Sequence, residues 1–242
     1  MLSKVAGVIL LTMLLGCGVM GAVGNEELPG EAFMNLARQR AVRQNSFGDL
    51  RGRVMHLQRN RGGAVYYPVR FLIRFSPQVI NARLTINGVE THEFRQNLPG
   101  GKKVISNNLP EQQEALLNKL GFRIEDLMLS FLDYPVKAEQ AVETIKTVRC
   151  RVLDLQSPEG ERVRVWIASE YLFPLKARFY AADDKKYAVP LRTLEVAGFD
   201  KINNYYVATD IALFSKDFRT RIEFSDCQVV RSDDPRAVRE FK

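Results

Sequence analysis

The sequence predicts a mainly β protein built around a large, strongly curved antiparallel sheet or barrel. Apolar residues alternate with a period of two through most of the chain beyond residue 48, as in strands with one buried face. Turn signals interrupt this alternation at short intervals, and helical spacing occurs in only two places. These features predict about eleven sequential strands. A sheet of that size encloses more space than its own side chains fill, so helices or a ligand must occupy it.

Helical spacing predicts one helix near the N-terminus and one short helical region in the middle of the chain. The first covers residues 31–43, where apolar residues recur every three to four positions. The second comprises residues 111–120 and 124–132, interrupted at Gly121. Its pieces are amphipathic, which predicts that they lie with one face against the sheet.

The strands are predicted from alternation between turn signals, and residues 65–75 give the clearest case. Asn87 and Gly88 form a dipeptide that is typical of a tight hairpin. Residues 98–103 read as a loop because they contain Pro and two Gly residues. Besides residues 65–75, the predicted strands are one after residue 48, then 80–86, 89–96, 136–145, 147–156, 161–169, 172–181, 187–197, 204–214 and 218–230.

Residues 1–24 form a targeting segment, with one cation (Lys4), an apolar stretch and then small residues. Two cleavage sites are compatible with it. Residues 14–17 resemble a lipobox, in which Cys17 receives a diacylglyceryl group and cleavage occurs just before it; an ordinary signal peptidase would instead cut after Gly24. An uncleaved anchor is the third alternative, because the apolar stretch approaches the roughly 20 residues that span a bilayer. Lipid-modified Cys17 is favoured, with residues 25–242 as a single domain.

The formal net charge is +7, and the basic residues are spread along the chain. An exported protein rarely meets nucleic acid, and no recognition motif is present, so nucleic-acid binding is not expected. Two alternatives remain for the cations. They bind the anionic headgroups of a membrane surface, or they form the solvated face of an antiparallel sheet.

The chain has three cysteines, an odd number that requires an explanation in an exported protein. Lipid on Cys17 would leave Cys150 and Cys227 as a possible disulfide in an oxidising compartment. Two free buried thiols are the alternative.

The sequence contains no recognisable catalytic constellation. Its two histidines lie in strand patterns without metal-ligand spacing, and no phosphate loop or nucleophile motif is present. We therefore expect a protein that is not an enzyme and has no metal or cofactor.

Five segments resemble bacterial outer-membrane lipoprotein-sorting-like proteins of the LolA/LolB-type lipoprotein carrier superfamily. The most specific of them is residues 170–180, where a Trp-bearing strand precedes a Pro-bearing one. The likeness covers essentially all of the mature chain, and before residue 115 it rests on strand pattern. The segments are residues 121–127, 131–132, 149–153, 163–167 and 170–180.

This resemblance implies an unclosed β-barrel in which short helices form a lid over an apolar cavity. It further implies that lipid acyl chains or lipoproteins bind there, with the protein on the periplasmic side of the envelope, anchored to the outer membrane through Cys17. An envelope sensor or scaffold that binds a partner protein is the alternative. The expected cavity residues are Phe71, Ile73, Phe75, Leu84, Ile86, Val165, Ile167 and Phe179, with Leu127, Met128 and Phe131 on the lid.

Overall fold

The computed structural model describes residues 27–43, 45–60, 62–98, 101–184 and 186–241. Cys17 and both predicted cleavage sites lie outside these ranges. Within them, no helix is long and apolar enough to cross a membrane.

Twelve antiparallel strands form one continuous sheet that does not close on itself. Neighbours in the sheet are consecutive in the chain except at the centre, where the first strand pairs with the last. The predicted unclosed antiparallel barrel is therefore confirmed. The strands are β1 (Ser46–Gln58), β2 (Val65–Phe75), β3 (Val79–Ile86), β4 (Glu90–Asn97), β5 (Lys103–Asn107), β6 (Val136–Ile145), β7 (Val148–Gln156), β8 (Arg162–Ala168), β9 (Pro174–Tyr180), β10 (Arg192–Ile202), β11 (Tyr205–Ser215) and β12 (Phe218–Arg231).

Four α-helices accompany the sheet in the described ranges: α1 (Gly30–Arg43), α2 (Leu116–Lys119), α3 (Ile124–Leu127) and α4 (Pro235–Glu240). A 3-10 turn over Ser130–Asp133 follows α3. We call residues 108–135, which connect the two edge strands β5 and β6, the lid. Side chains of the lid, of α1 and of one sheet face form a single core cluster. The sheet thus curls around this cluster, and we call that face concave.

The helices of the lid are much shorter than predicted. Residues 111–114 are exposed and form no helix, and the helix begins only after Ala115, which is buried. The chain breaks at Gly121, whose φ of +83° favours glycine. A Cβ atom there would also approach the Phe218 ring to 2.1 Å. The second predicted helical piece, residues 124–132, is interrupted at Leu129, whose φ is 54°.

Two elements were not predicted. Strand β5 has only five residues, nearly all exposed, so its side chains show no alternation of burial. Helix α4 begins after Asp234, whose carboxylate accepts a hydrogen bond from the backbone N–H of Arg236, and has Pro235 at its first position. This is a recognisable helix start. It covers a second, small apolar cluster around Phe47 and Leu72 on the convex face.

Many of the basic residues form ion pairs on the convex face. Arg70 and Asp49 approach to 2.8 Å, and Arg164 and Asp154 to 2.6 Å. Each pair links neighbouring strands, because Asp49 lies on β1, Arg70 on β2, Asp154 on β7 and Arg164 on β8. For these residues the structure favours the solvated-face interpretation of the positive charge.

Cys150 and Cys227 are both free thiols. Cys150 packs with Val152 and Trp166 in a small cluster separate from the main core, whereas Cys227 packs against the main core. The two thiols therefore lie on opposite faces of the sheet, which excludes a bridge between them in this fold. Burial raises the pKa of both thiols.

Candidate functional site

The concave face has two ends. At the closed end, where β1 ends and β12 begins, the lid packs directly onto the sheet. At the open end, where β1 begins and β12 ends, the sheet, α1 and the tip of the lid surround a cavity of about 180 Å³. Its apolar lining consists of Ala37, Leu50, Phe71, Ile73, Phe75, Ile80, Phe94, Leu127, Met128, Leu129, Leu132, Leu172, Phe173, Pro174, Tyr205, Tyr206, Val207, Ala208, Ile211, Phe224 and Val229.

The polar residues along this cavity are few. They are Arg38, Arg40, Ser46, Gln96, Ser130 and Asp133. An apolar cavity of about 150 Å³ accepts one benzene molecule. In the described conformation the cavity thus has room for part of an acyl chain, and a whole chain requires the lid or α1 to move.

Five of the eleven residues predicted for the cavity and lid line it: Phe71, Ile73, Phe75, Leu127 and Met128. The other six lie deeper, where they fill the core rather than face open space. Phe131 packs edge-on against Phe179, with 5.5 Å between ring centroids. The residues outside the cavity are Leu84, Ile86, Val165, Ile167, Phe131 and Phe179, all buried in the main core cluster. Contact with lipid stays a prediction for all eleven.

Several aromatic residues of the cavity wall were not predicted. Phe94 comes from β4, Phe173 from the β8–β9 connection, and Tyr205 and Phe224 from β11 and β12. Alternation identified each of these strands, but it does not distinguish the end of a strand that faces open space from the end that the lid covers.

Glu90 anchors the start of the lid at the closed end. Its carboxylate accepts hydrogen bonds from the backbone N–H groups of Leu116 (2.6 Å) and Leu117 (2.9 Å). His92 Nε2 lies 2.6 Å from the same carboxylate. Burial alone would raise the pKa of Glu90, but the contacts with His92, Leu117 and Leu116 outweigh it and lower the pKa. A charged carboxylate from the sheet therefore holds the first backbone donors of α2, which lacks a side-chain cap of its own.

A second anchor joins the middle of the lid to the sheet. The guanidinium of Arg192 on β10 pairs with the Asp126 carboxylate of α3, and both side chains are largely buried. Arg192 also stacks over the Phe179 ring, 4.0 Å from its centroid. The backbone N–H of Arg123 donates to the same carboxylate, so the charge of Asp126 is fully compensated.

The end of the lid is held by α1 and by the β7–β8 connection. Arg38 donates to the backbone carbonyls of Leu132 (2.5 Å) and Tyr134 (2.8 Å). The Tyr134 hydroxyl donates to Glu161 at 3.2 Å. Burial and the nearby Glu161 carboxylate raise the pKa of Tyr134 to about 12, so this hydroxyl stays protonated at neutral pH. On the cavity side of the lid, these hydrogen bonds of Arg38 are joined by an ion pair between Lys103 and Asp133 at 2.8 Å.

Aromatic residues surround the open end. Tyr171 and Tyr206 are each nearly half exposed, with ring centroids 6.2 Å apart. Phe173 packs edge-on against Phe199 beside them, at 4.7 Å. Within the described ranges, no group of three or more His, Cys, Asp or Glu side chains is arranged to hold a metal ion. The site is thus an apolar cavity with an aromatic rim.

Comparison with known proteins gives structural likeness at low sequence identity. No protein-family model and no curated protein sequence matches the chain. A domain from Vibrio parahaemolyticus described as an outer-membrane lipoprotein-sorting protein has a TM-score of 0.66 and 16% identity, covering 87% of this chain and 97% of that one.

Two further crystal structures share the fold. A DUF1329 family protein from Desulfovibrio piger has a TM-score of 0.64 and 14% identity, covering 83% of this chain and 92% of its own. A LolA superfamily protein from Nitrosomonas europaea has a TM-score of 0.55 and 15% identity, covering 83% and 93%. The fold predicted from the resemblance is thereby confirmed.

Proposed function

We propose that this protein binds the acyl chains of lipids or lipoproteins in the open-end cavity, as a carrier or acceptor of acylated cargo. The observation that carries the proposal is the cavity itself, which has apolar walls on the sheet, on α1 and on the lid. The shared fold supports it, because one structural neighbour is described as a lipoprotein-sorting protein and another as a LolA superfamily protein.

The chemistry of the walls suits an acyl chain. Such a chain offers no hydrogen bonds and gains about 0.8 kcal/mol for each CH₂ group that leaves water. Ile73, Phe75 and Val207 line the cavity and remain only partly buried, so a ligand would cover apolar surface that now contacts solvent. Larger cargo enters by displacement of the lid tip, where Arg38 forms the polar contacts.

The proposed location is the periplasmic side of the envelope, with Cys17 carrying the lipid anchor to the outer membrane. The aromatic rim supports contact with a membrane surface, since Tyr residues favour the bilayer interface. Mass spectrometry of the mature N-terminus tests the anchor, with Cys17→Ala as control. A lipid-sized increment on a chain that starts at Cys17 is expected. A mature chain that starts at Asn25 would contradict the anchor and leave the cavity proposal intact.

Native mass spectrometry of the full chain, purified from its own membranes in mild detergent, tests the binding itself. We expect a population whose extra mass disappears on collisional activation and matches a lipid or an acylated peptide. Repeated observation of the unliganded mass alone, from several detergents, would contradict the proposal.

A further inference from the structure

The inner face of α1 changes character where it reaches the cavity. Phe33, Met34 and Ala37 are buried against the sheet, each at most 4% exposed. Helical spacing places residue 40 next on the same face. That residue is Arg40, and it lines the cavity. Arg40 is exposed, so its cationic side chain stands at the solvent-facing edge of the cavity.

Arg38 and Arg40 both line the cavity but differ in their partners. Arg38 donates to the lid carbonyls, to Glu31 at 2.7 Å and to Asn35 at 2.8 Å. In the part of the chain that the structure describes, Arg40 has no hydrogen bond or ion pair. Arg38 is therefore committed to holding the lid, whereas the guanidinium of Arg40 is available to a ligand.

Acidic groups near the cavity do not neutralise this charge. Asp133 is the one carboxylate among the described residues of the lining, and Lys103 binds it at 2.8 Å. The cavity mouth is therefore net positive, beside walls that are otherwise apolar.

We propose that the cavity selects amphiphiles with an anionic polar end, a carboxylate or a phosphate, and that Arg40 binds that group while the acyl chain lies along the apolar walls. This inference rests on the proposed function and narrows its ligand class. A guanidinium presents two parallel N–H donors to either anion, and the contact is charge-assisted, which strengthens it.

Three probes with the same oleoyl chain test the selection: oleate, 1-oleoyl-lysophosphatidate and uncharged 1-oleoylglycerol. The full chain is first loaded with the neutral dye N-phenyl-1-naphthylamine. Each probe is then added below its own critical micelle concentration, and displacement of the dye measures its affinity. We expect at least one anionic probe to bind about tenfold more tightly than the neutral probe. The probe that shows the preference identifies the anion as carboxylate or phosphate.

Arg40→Gln should reduce the affinity for the anionic probe to that for 1-oleoylglycerol and leave the neutral probe unchanged. Arg40→Lys keeps the charge and should keep most of the preference. The matched control is Arg95→Gln, because Arg95 lies between the cavity residues Phe94 and Gln96 on β4 and points to the opposite face.

The outcomes separate this inference from the proposed function. Equal binding of all three probes, or an equal loss for all of them in Arg40→Gln, would overturn the selection by Arg40 while acyl binding stands. Absence of binding for every probe would overturn both. A preference that is lost in Arg40→Gln and retained in Arg95→Gln supports the inference.

Discussion

The closed and open ends of the concave face are built by the same strands but differ in what covers them. At the closed end, Val163, Val165 and Phe179 are buried, and Phe131 of the lid packs against Phe179. At the open end, Ile73 and Phe75 continue the same kind of alternation on β2 and face a cavity. The position of the lid therefore decides whether an apolar strand residue is core or cavity wall.

The two ends also differ in the polar contacts that hold the lid to the sheet. Glu90 and the Asp126–Arg192 pair hold the lid at the closed end, inside the core. Near the cavity the lid tip is held mainly by hydrogen bonds from Arg38 and by the surface pair of Lys103 with Asp133. We expect lid motion to pivot at the closed end and to open the cavity at the other.

The largest predicted effect is loss of the anchor inside the core. Arg192→Met keeps most of the side-chain bulk but leaves the Asp126 carboxylate buried without its cation. Breaking a buried pair in this way costs about 3–5 kcal/mol. Urea denaturation of the variant should show a free energy of unfolding lowered by about that amount.

Arg53→Met is the matched control on the convex face. Arg53 pairs with Glu223 at 2.9 Å, but its side chain is 63% exposed. Exposed pairs contribute about 0–1 kcal/mol, so this variant should unfold nearly as the parent does. Equal losses for Arg192→Met and Arg53→Met would contradict the distinction between the two surroundings.

A second prediction compares truncation of a core residue with truncation of a residue in the cavity wall. Leu84→Ala removes a fully buried side chain and should lower the free energy of unfolding by about 3 kcal/mol. Ile73→Ala removes part of a cavity wall and should cost only about 1 kcal/mol, because no enclosed void forms. Fatty-acid affinity should show the reverse order, with the larger loss in Ile73→Ala. Similar stability losses in both variants would mean that no open cavity exists.

The Glu90 anchor predicts a pH dependence of stability. Its pKa in the folded protein is below the ordinary value of 4.5, so its contribution is complete above that pH. The contribution is lost as the pH falls through the lowered pKa. The amide in Glu90→Gln has one acceptor oxygen, whereas the carboxylate uses two oxygens to accept the two backbone N–H groups. This variant should lower the free energy of unfolding by about 2 kcal/mol at pH 7.

Denaturation of Glu90→Gln and the parent between pH 3 and pH 7 measures this contribution. The stability difference between them should be constant near neutral pH and shrink once the pH falls below about 4.5. A difference that stays the same down to pH 3 would show that the charge of Glu90 does not hold the lid.

Strand alternation predicted eleven of the twelve strands, and residues 65–75 and 136–145 match β2 and β6 at both ends. These strands were predictable because a buried face imposes a period of two over many residues. Strand β5 was not predictable in this way, since an exposed edge strand buries neither face.

The candidate site was less predictable than the fold. Phe71, Ile73 and Phe75 were identified because large apolar residues mark the concave face, whereas Leu84 and Val165 satisfy the same rule and lie in the core. The anchor at Glu90 was missed because its partners are backbone N–H groups 26 and 27 residues further along the chain. Contacts between residues this far apart leave no pattern in the short-range spacing of residue types along the sequence.

The most direct test of the account is to fill the cavity from within. Ala208 lines it on β11, and Ala208→Trp should place an indole ring in the space assigned to the acyl chain. Ala138→Trp, on the exposed edge strand β6, is the matched control.

Titration with the fluorescent fatty acid cis-parinaric acid measures the affinity, and circular dichroism verifies that both variants fold. We predict at least a tenfold loss of affinity in Ala208→Trp and parental affinity in Ala138→Trp. Unchanged binding in a folded Ala208→Trp variant would contradict the claim that the open-end cavity holds the acyl chain.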